Sequence, residues 1–535
     1  MNHRSLIFGA VTVAVAAMST TAWGQRKPYD AQSTPDKSEG AAPEAQAPPP
    51  KSTAATKTNP ATGEPETPVE PAAPPENPAQ EKRPEKYDAE TGTVEGTKFV
   101  FTPYGLGQGQ VTHDSTQSFQ HGQGNNPIAR SGAPTFSQAG QAYNGQHGRL
   151  TMTARNTILG FRVKAPTWHS VTSSARFEGD FEGAPPSNPP GSSESGFLSG
   201  GPFHMRQAYI LLETPVVDLL VGETQQLFGW GPIFYPNSVN NLGIPGMTFG
   251  REMQVKLSHV FRTSAVNLEL AAGAFRPPQR DAEVPDLQAG IRFAIKGWKG
   301  IQNGNRLVPM QIAAAGTRRW FRVQGINPVT TNALEPREDR AYSANGAGIS
   351  IDALIPIIPG SDPEHPGNTL TVVGEYAKGY GISDLYQSLN FGLPIQAVGN
   401  AVNYNSTDVD TGIVVFDQPV DATGTLQEGH LRPVNVQSFI VNVQYTLPWL
   451  DFVSLSGIYS YLASDNVDKL AIPLEVMPGS WTKTFLKQRY VEGSLHILVT
   501  PVTRFSFGYG NTLQTFVDGG HETNHRFVFK ANYAF

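Results

Sequence analysis

The sequence predicts an all-β fold, a transmembrane antiparallel β-barrel of about 16 strands, preceded by a disordered, proline-rich N-terminal extension. Three observations predict it. Apolar and polar residues alternate with a period of two from residue 99 to the end of the 535-residue chain, and prolines cluster ahead of that region. Only 16 % of the residues are charged and 10 % are aromatic, whereas an average soluble protein has about 25 % charged residues.

The overall composition excludes several classes of protein. The chain has no cysteine, which excludes a disulfide scaffold, a thiolate metal site and a cysteine nucleophile. Its net charge of -6 gives no indication of nucleic acid as a partner. It also lacks the repeated apolar runs of about 20 residues that a helical membrane protein needs.

Residues 1–24 have the pattern of a signal peptide. His3 and Arg4 form a short basic region, an apolar run follows over residues 6–18, and small residues around Trp23 supply a cleavage site before Gln25. The apolar run is too short for a transmembrane helix. The pattern therefore predicts export across the inner membrane.

Residues 25–94 are predicted to be a disordered periplasmic linker rich in proline and alanine. Fourteen prolines lie between Pro28 and Pro84, and residues 25–92 contain no Leu, Ile, Phe, Met or Trp. Such a segment cannot bury enough apolar surface to offset its chain entropy. Two interpretations remain open: a passive spacer, or a tether to peptidoglycan or a periplasmic partner.

Residues 95–535 are predicted to form the barrel. Short and long connections alternate between the candidate strands, as expected for short periplasmic turns and long extracellular loops. A soluble β-sandwich also alternates, but it does not usually end on an aromatic strand. The sixteen candidate strands are 98–111, 148–164, 169–181, 203–214, 217–227, 251–262, 264–276, 286–298, 309–323, 341–355, 369–380, 435–447, 450–462, 482–499, 502–514 and 523–535.

Three sequence blocks within the predicted barrel carry a resemblance: residues 148–163, residues 213–230 and the C-terminal Tyr533-Ala534-Phe535. They resemble those of trimeric bacterial outer-membrane porins, in particular DcaP-like porins. The resemblance covers residues 95–535 and implies sixteen strands, a homotrimer and diffusion of small, often anionic solutes. Tyr533 and Phe535 resemble the signal read by the outer-membrane assembly machinery. The extension of DcaP-like porins is a coiled coil, so no role in trimerisation is carried over to the linker of this chain.

Charged residues on the predicted inner faces of the strands are candidates for lining a pore. With aromatic residues assigned to the outer face, cations outnumber carboxylates on the inner face, and a basic lining concentrates anions. The alternative is that these arginines pair with wall carboxylates or lie at strand ends near lipopolysaccharide. The candidates for pore lining and solute binding are Arg155, Arg176, Arg292, Lys296, Arg318, Arg322, Arg504, Glu178 and Asp180.

The connection over residues 228–250 is the candidate constriction loop. In the porins that the chain resembles, this connection folds into the lumen, and its aromatic and proline residues suit packing against an inner wall. The alternative is a surface loop that caps the trimer axis. The constriction residues expected here are Trp230, Phe234, Tyr235, Asn237, Asn240 and Asn241.

The sequence thus predicts a passive outer-membrane porin for small hydrophilic, anionic solutes such as dicarboxylates. The expected partners are outer-membrane lipid, lipopolysaccharide and these solutes, with no nucleic acid. No enzyme is predicted, because the histidines are scattered and no nucleophile, phosphate-loop or metal-ligand pattern occurs, so neither a cofactor nor a metal is expected. The alternative function is a structural anchor, in which the proline-rich linker tethers the barrel to the cell wall.

Overall fold

The computed structural model describes strand residues 86–88 and 93–95 and then most of the chain from residue 99 onwards. The predicted signal peptide and most of the predicted linker lie outside the described residues. The described ranges after residue 98 are 99–119, 127–130, 145–183, 201–240, 243–279, 282–302, 306–324, 341–362, 366–389, 412–417, 430–470 and 484–535.

Sixteen antiparallel strands form a closed barrel, because the last strand pairs with the first. The second strand has two pieces, which are both called β2. The strands are β1 Val100–Asp114, β2 Arg149–Thr153 and Ile158–Lys164, β3 Thr172–Asp180, β4 His204–Glu213, β5 Asp218–Gln225, β6 Arg251–Arg262, β7 Val266–Phe275, β8 Asp286–Gln302, β9 Arg306–Gln324, β10 Ala341–Ile358, β11 Thr369–Tyr380, β12 Asn435–Thr446, β13 Val453–Ala463, β14 Phe485–Thr500, β15 Thr503–Phe516 and β16 His521–Ala534.

This architecture confirms the predicted fold class. Each predicted strand corresponds to one observed strand, and the bounds of β6 and β11 agree with the prediction. The largest difference is in the hairpin of β8 and β9, which extends beyond the predicted strands 286–298 and 309–323.

The two faces of the wall differ in polarity. In β12 the side chains of Phe439, Val441 and Val443 are exposed on the outside, whereas those of Ser438 and Asn442 are buried on the inside. Alternation of this kind, with the apolar face outward, is typical of barrels that stand in a membrane.

The connections differ in length between the two ends of the barrel. Short turns, such as residues 263–265 and 501–502, join strands at one end, which we call the turn end. Longer loops, such as residues 226–250 and 381–434, lie at the other end, which we call the loop end.

A few short elements lie outside the barrel wall. The strand Lys86–Asp88 pairs with Thr93–Glu95, which in turn pairs with the first residues of β1. The strands Val414–Asp417 and His430–Pro433 form a hairpin within the loop 381–434. Among the described residues no helix has the length and apolar character required to cross a membrane. The 3-10 helices are Phe228–Ile233, Ser383–Leu385 and Val467–Lys469.

Candidate functional site

The loop over residues 226–250, called the inner loop, turns from β5 into the interior of the barrel. Its first turn is the 3-10 helix Phe228–Ile233, in which Gly229 has a φ of 80°. A Cβ atom at Gly229 would lie 1.9 Å from the Oγ1 atom of Thr248. Glycine is therefore required here both for the left-handed backbone and for the close approach of the two ends of the loop.

The first half of the inner loop is bound to the inner faces of β8, β9 and β10. The backbone N–H groups of Leu227 and Phe228 both donate to the Oε1 atom of Gln288 at 2.9 Å. The N–H of Gly229 donates to Ser350 Oγ at 3.0 Å, and the indole N–H of Trp230 donates to the carbonyl oxygen of Ala314 at 3.2 Å. These bonds fix the start of the inner loop inside the wall.

The second half of the inner loop reaches the opposite wall. The backbone N–H of Asn237 donates to Asn442 Oδ1 on β12 at 3.0 Å. Three groups donate to the carboxylate of Glu492 on β14: Ser238 Oγ at 2.6 Å, the N–H of Val239 at 2.8 Å and Asn240 Nδ2 at 3.0 Å. The inner loop therefore crosses the interior from β8 to β14.

The segment 381–389 at the loop end packs on the inner loop. The N–H of Phe249 donates to the carbonyl oxygen of Leu385 at 2.9 Å, and the N–H of Gln387 donates to that of Met247 at 3.0 Å. The hydroxyl of Tyr235 donates to Gln387 Oε1 at 3.3 Å. Burial raises the pKa of Tyr235 to about 12, so this phenol keeps its proton at physiological pH.

The hairpin of β8 and β9 also enters the interior, from the turn end. A Cβ atom at Gly300 would lie 2.5 Å from Oγ1 of Thr371, whose side chain is buried on the inner face of β11. Gln302 Nε2 donates to the carbonyl oxygens of Ile233 and Tyr235 at 2.6 and 3.2 Å. The inner loop is therefore supported from both ends of the barrel.

These segments divide the interior into two parts. One part is an apolar cluster between the inner loop, the segment 381–389 and the inner faces of β7 to β13; it includes Phe228, Trp230, Leu354 and Leu385. The other part is a polar cavity of about 410 Å³. The cavity is lined by the inner loop, by β2 to β6, and by β15 and β16.

Cationic side chains predominate in the lining of this cavity. Among the described residues, five cations and one carboxylate line it: Arg176, Arg206, Arg251, Arg504, Lys530 and Glu178.

Two of these cations are bound to carboxylates. Glu178 accepts from Arg176 at 2.6 Å and from Arg206 at 2.9 Å. Asp180 accepts from Arg206 at 2.7 Å and lies 3.0 Å from the ring nitrogen of His204. The two positive charges on the β3–β4 wall are therefore matched by two carboxylates.

The other three cations have no carboxylate partner among the described residues. Arg504 donates to Asn237 Oδ1 at 2.8 Å, which attaches its guanidinium to the inner loop. The side chain of Lys530 is buried, and its ammonium nitrogen makes no hydrogen bond within the described part of the chain. Arg251 likewise lines the cavity, and its side chain makes no hydrogen bond or ion pair to a described residue. Arg251 and Arg504 leave guanidinium donors available to a bound anion.

The structure places three of the predicted pore-lining residues, Arg176, Glu178 and Arg504, at the cavity. Asp180 lies behind the cavity lining, where it binds Arg206. Arg155 is buried and donates at 2.7 Å to each of the carbonyl oxygens of residues 181 and 183.

Two further candidates lie away from the cavity. Arg292 binds Glu269 and lies over the ring of Trp230, with 5.5 Å between its Cζ atom and the ring centroid. Lys296 donates to the carbonyl oxygen of Thr263 at the turn end, at 2.5 Å.

The prediction that Arg318 and Arg322 face the pore is wrong. On β9 the odd-numbered residues face inward, since Arg319 and Phe321 are buried whereas Ile312 is exposed. Arg318 and Arg322 share the outer face with Ile312. The buried Arg319, between them, donates to Asp286 at 2.7 Å and to Asp384 at 2.6 Å.

Of the predicted constriction residues, Tyr235 and Asn237 line the cavity. Trp230 and Phe234 belong to the apolar cluster, and Asn240 binds Glu492. Asn241 lies outside the described residues.

Residues at the C-terminus close the barrel seam. The side chains of Tyr533 and Phe535 are exposed, and the backbone of Phe535 exchanges two hydrogen bonds with Gly105. Their role as an assembly signal stays a prediction.

Sequence reasoning missed three residues of the site: Arg206, Arg251 and Glu492. A register shift in the pairing of β3 with β4, between Glu178 and Gly179, places Arg206 and Gln207 on the same inner face. Such a bulge has no reliable signal in the sequence. Among the described residues no group of three or more His, Asp or Glu is arranged to hold a metal ion.

Comparison with known proteins finds similarity in structure. No protein-family model and no curated protein matches the chain. The outer membrane channel DcaP of Acinetobacter baumannii is similar, with 14 % identity over 82 % of this chain and 97 % of that chain and a TM-score of 0.52. OmpT of Vibrio cholerae, as its loop L8 deletion mutant, is 9 % identical over 82 % of this chain and 99 % of that chain, with a TM-score of 0.42. The anion-selective porin from Comamonas acidovorans is 8 % identical over 82 % of this chain and 100 % of that chain, and its TM-score is also 0.42. The chain therefore has a porin-type barrel fold, similar to that of DcaP.

Proposed function

We propose that the protein is a passive channel for small hydrophilic solutes in a bacterial outer membrane. A polar, charged cavity inside a closed barrel with an apolar outer face carries this proposal. The similar DcaP barrel is described as an outer membrane channel. Outer-membrane barrels have short turns on the periplasmic side and long loops on the outside. The turn end of this barrel therefore faces the periplasm, and the loop end faces the exterior.

The solutes of this channel are anions. Five cations and one carboxylate line the cavity in the described part of the chain, and Arg251 and Lys530 have donors to spare. Guanidinium and ammonium groups bind carboxylate and phosphate oxygens. Because the barrel wall has a low dielectric constant, it strengthens their field in the lumen.

The cations stand on two sides of the cavity. Arg176, Arg206 and Arg251 extend from β3, β4 and β6, whereas Arg504 and Lys530 extend from β15 and β16. A solute with an anionic group at each end, such as a dicarboxylate, contacts both groups of cations. This arrangement supports dicarboxylates as a substrate class.

The inner loop is the constriction of the channel. Residues Pro232, Tyr235, Asn237 and Phe249 form the side of the cavity that faces these cations. The hydrogen bonds of the inner loop to β8–β10 and to β14 hold it across the lumen. A solute in transit therefore passes between the inner loop and the wall.

The proposed route of assembly is the one that the resemblance to trimeric porins implies. The chain is exported by its signal peptide, recognised through Tyr533 and Phe535 by the assembly machinery, and inserted as a homotrimer. The exposed aromatic side chains at the end of β16 support this proposal.

Reversal potentials in a salt gradient test the proposal. Purified protein in planar bilayers is expected to give discrete conductance steps and a reversal potential that favours chloride over potassium. Liposomes that contain the protein should swell in succinate faster than in a neutral disaccharide. A preference for potassium contradicts the anionic lining as the selectivity element, and the absence of any conductance contradicts the channel. Arg262→Gln changes an exposed arginine at the turn end and is the matched control. Its reversal potential and its liposome swelling rates should equal those of the wild type.

A further inference from the structure

Two carboxylates, called the acidic pair, lie side by side on the inner face of the wall, away from the polar cavity. Asp352 on β10 pairs in register with Glu375 on β11, and both side chains are buried. Side chains at directly opposite positions of antiparallel strands have Cβ atoms about 4.5–5.5 Å apart, and like charges at such positions are unfavourable. The acidic pair therefore needs an explanation.

The surroundings of the acidic pair are apolar. Ala313 on β9 and Ile440 on β12 occupy the next positions of the same row across the wall. Leu354 and Val373 are the buried inner residues that come next along β10 and towards the turn end of β11. Two like charges in such surroundings require either a compensating positive charge or the loss of one negative charge.

The segments packed around the acidic pair bring no protein cation to it. The sequences of β10, β12, β13, the inner loop and the segment 381–389 contain neither lysine nor arginine. On β11, Lys378 has an exposed side chain on the outer face, because it lies an odd number of residues from Glu375.

The inward arginines of the adjoining strands are bound to other carboxylates. Arg292 on β8 binds Glu269. Arg319 on β9 binds Asp286 and Asp384. Neither arginine therefore compensates the charge of the acidic pair.

Four oxygen atoms at this place have no hydrogen-bond partner within the described part of the chain. They are both carboxylate oxygens of Asp352, Oε2 of Glu375 and Oγ1 of Thr248. Thr248 is fully buried near the end of the inner loop, and its backbone N–H donates to Oε1 of Glu375 at 2.7 Å. The Cβ position at Gly229 lies 1.9 Å from Thr248 Oγ1 and 3.1 Å from Glu375 Oε2, so these two oxygens approach the same point.

We propose that Asp352, Glu375 and Thr248 bind a calcium ion, which attaches the end of the inner loop to the wall. A divalent cation balances the two carboxylates, and calcium binds carboxylate and neutral oxygens in flexible geometries. Magnesium demands octahedral geometry and keeps several of its waters, so it suits these apolar surroundings less well. The site needs only two acidic groups, because neutral oxygens of the protein complete a calcium site.

A shared proton is the competing explanation, since protonation of one carboxylate also removes the repulsion between them. The two explanations differ in metal content. Only the calcium site gives stoichiometric binding of the metal, and only there does loss of the Thr248 hydroxyl weaken that binding.

Equilibrium dialysis with radioactive calcium tests the site. The probe is calcium chloride, and the folded barrel is first freed of metal with EDTA in detergent at neutral pH. The wild-type protein is expected to bind one calcium ion per chain, and Asp352→Asn/Glu375→Gln should lose this binding. Glu283→Gln removes a carboxylate that is exposed and bound to Arg322, and this control should bind like the wild type.

Thr248 supplies a second variant that leaves both carboxylates in place. Thr248→Val keeps the backbone N–H that donates to Glu375 but removes the hydroxyl oxygen. Its dissociation constant for calcium should rise about tenfold, because the ion loses a ligand. Thr248→Ser should restore the wild-type value.

Heat-modifiable electrophoretic mobility verifies that each variant is folded and gives a second readout. Calcium should raise the temperature at which the wild-type barrel loses its folded mobility, and it should leave that of the double variant unchanged. A wild-type protein that binds no calcium overturns the proposal in favour of the shared proton. Equal binding by the folded double variant overturns it in favour of a site elsewhere. None of these readouts depends on conductance, so failure of the calcium site is distinguishable from failure of the channel.

Discussion

The two halves of the barrel interior are built on the same alternation of residues but differ in their contents. Towards β9–β11, apolar residues such as Ala313, Leu354 and Val373 occupy several inner positions and pack with Phe228 and Trp230 of the inner loop. Towards β15, β16 and β1, inner positions carry long polar side chains, including Gln514, Arg526 and Gln110. The inner loop and the segment 381–389 fill one half of the interior, so packed loops decide which part of this barrel interior stays open.

The apolar half of the interior holds the inner loop in place at the edge of the polar half. It buries one side of the inner loop, so that the other side, with Tyr235 and Asn237, forms a defined boundary of the cavity. A loop that is held by packed apolar side chains resists displacement more than a loop that is held by solvent-exposed contacts. In the proposed channel, the path for solutes therefore lies between the inner loop and the cationic wall.

The largest effect is expected from Gly229→Val, at the point where the inner loop enters the apolar half. The new Cβ atom would lie 1.9 Å from Thr248 Oγ1 on a backbone with a φ of 80°. Strain of the backbone and overpacking together lower the free energy of unfolding by about 4 kcal/mol. Urea unfolding in detergent micelles, followed by tryptophan fluorescence, measures this change.

Gly519→Val separates the two causes in that prediction. Gly519 also has a positive φ, of 84°, but a Cβ atom there has no neighbour within 4 Å. This variant should lose only the strain contribution, about 1–3 kcal/mol. Equal losses in the two variants contradict the close packing at Gly229.

The second effect concerns charge in the polar half. Arg251→Gln with Lys530→Gln removes the two lining cations that have no partner among the described residues. The ratio of chloride to potassium permeability should fall on the order of tenfold, because the field of these cations concentrates anions in the cavity. Reversal potentials in a salt gradient measure this ratio.

The matched control for the charge variants lies in the apolar half. Arg292→Gln changes an inward arginine that is bound to Glu269 and stacked on Trp230. Its permeability ratio should stay at the wild-type value. A fall equal to that of the double variant contradicts the division of the interior into two functional parts.

The wall could be predicted from the sequence because each strand residue meets either the apolar exterior or the interior. The resulting period of two is local, and for β6 it predicted the bounds Arg251–Arg262 correctly. Loop packing, in contrast, joins segments far apart in the chain. The apolar cluster combines the inner loop with the segment 381–389, and neither segment carries a local sign of that contact.

The error at Arg318 and Arg322 has a specific physical cause. Trp320 and Phe321 are adjacent aromatic residues, and assignment of Phe321 to the outer face gave β9 the wrong phase. Phe321 is instead buried against Ile413 and Val414 of the hairpin inside the loop 381–434. An inward aromatic residue is stable there because a loop covers it, which the strand pattern alone does not indicate.

The third effect tests how the inner loop is held at the polar half. Glu492→Gln replaces a carboxylate that accepts from Ser238, Val239 and Asn240. Hydrogen bonds to a charged group contribute about 1.5–3 kcal/mol each, and an amide cannot accept all three. The tip of the inner loop should detach, and single-channel recordings should show a higher and noisier conductance.

Ser494→Ala is the control for Glu492. Ser494 donates to the same carboxylate at 2.5 Å but belongs to β14 and not to the inner loop. Its removal should leave the conductance unchanged. If both variants raise the conductance equally, the attachment of the loop to Glu492 is not what limits the pore.

The smallest effect is expected from deletion of residues 25–92, which contain no Leu, Ile, Phe, Met or Trp. Among the described residues, every side chain that lines the cavity belongs to residues 156–532, so the conductance and the permeability ratio should both keep their wild-type values. A changed conductance would show that the linker enters the pore. Unchanged conductance together with a detached outer membrane in cells that express the variant favours the tether, because the cell-wall contact then depends on the linker and transport depends on the barrel alone.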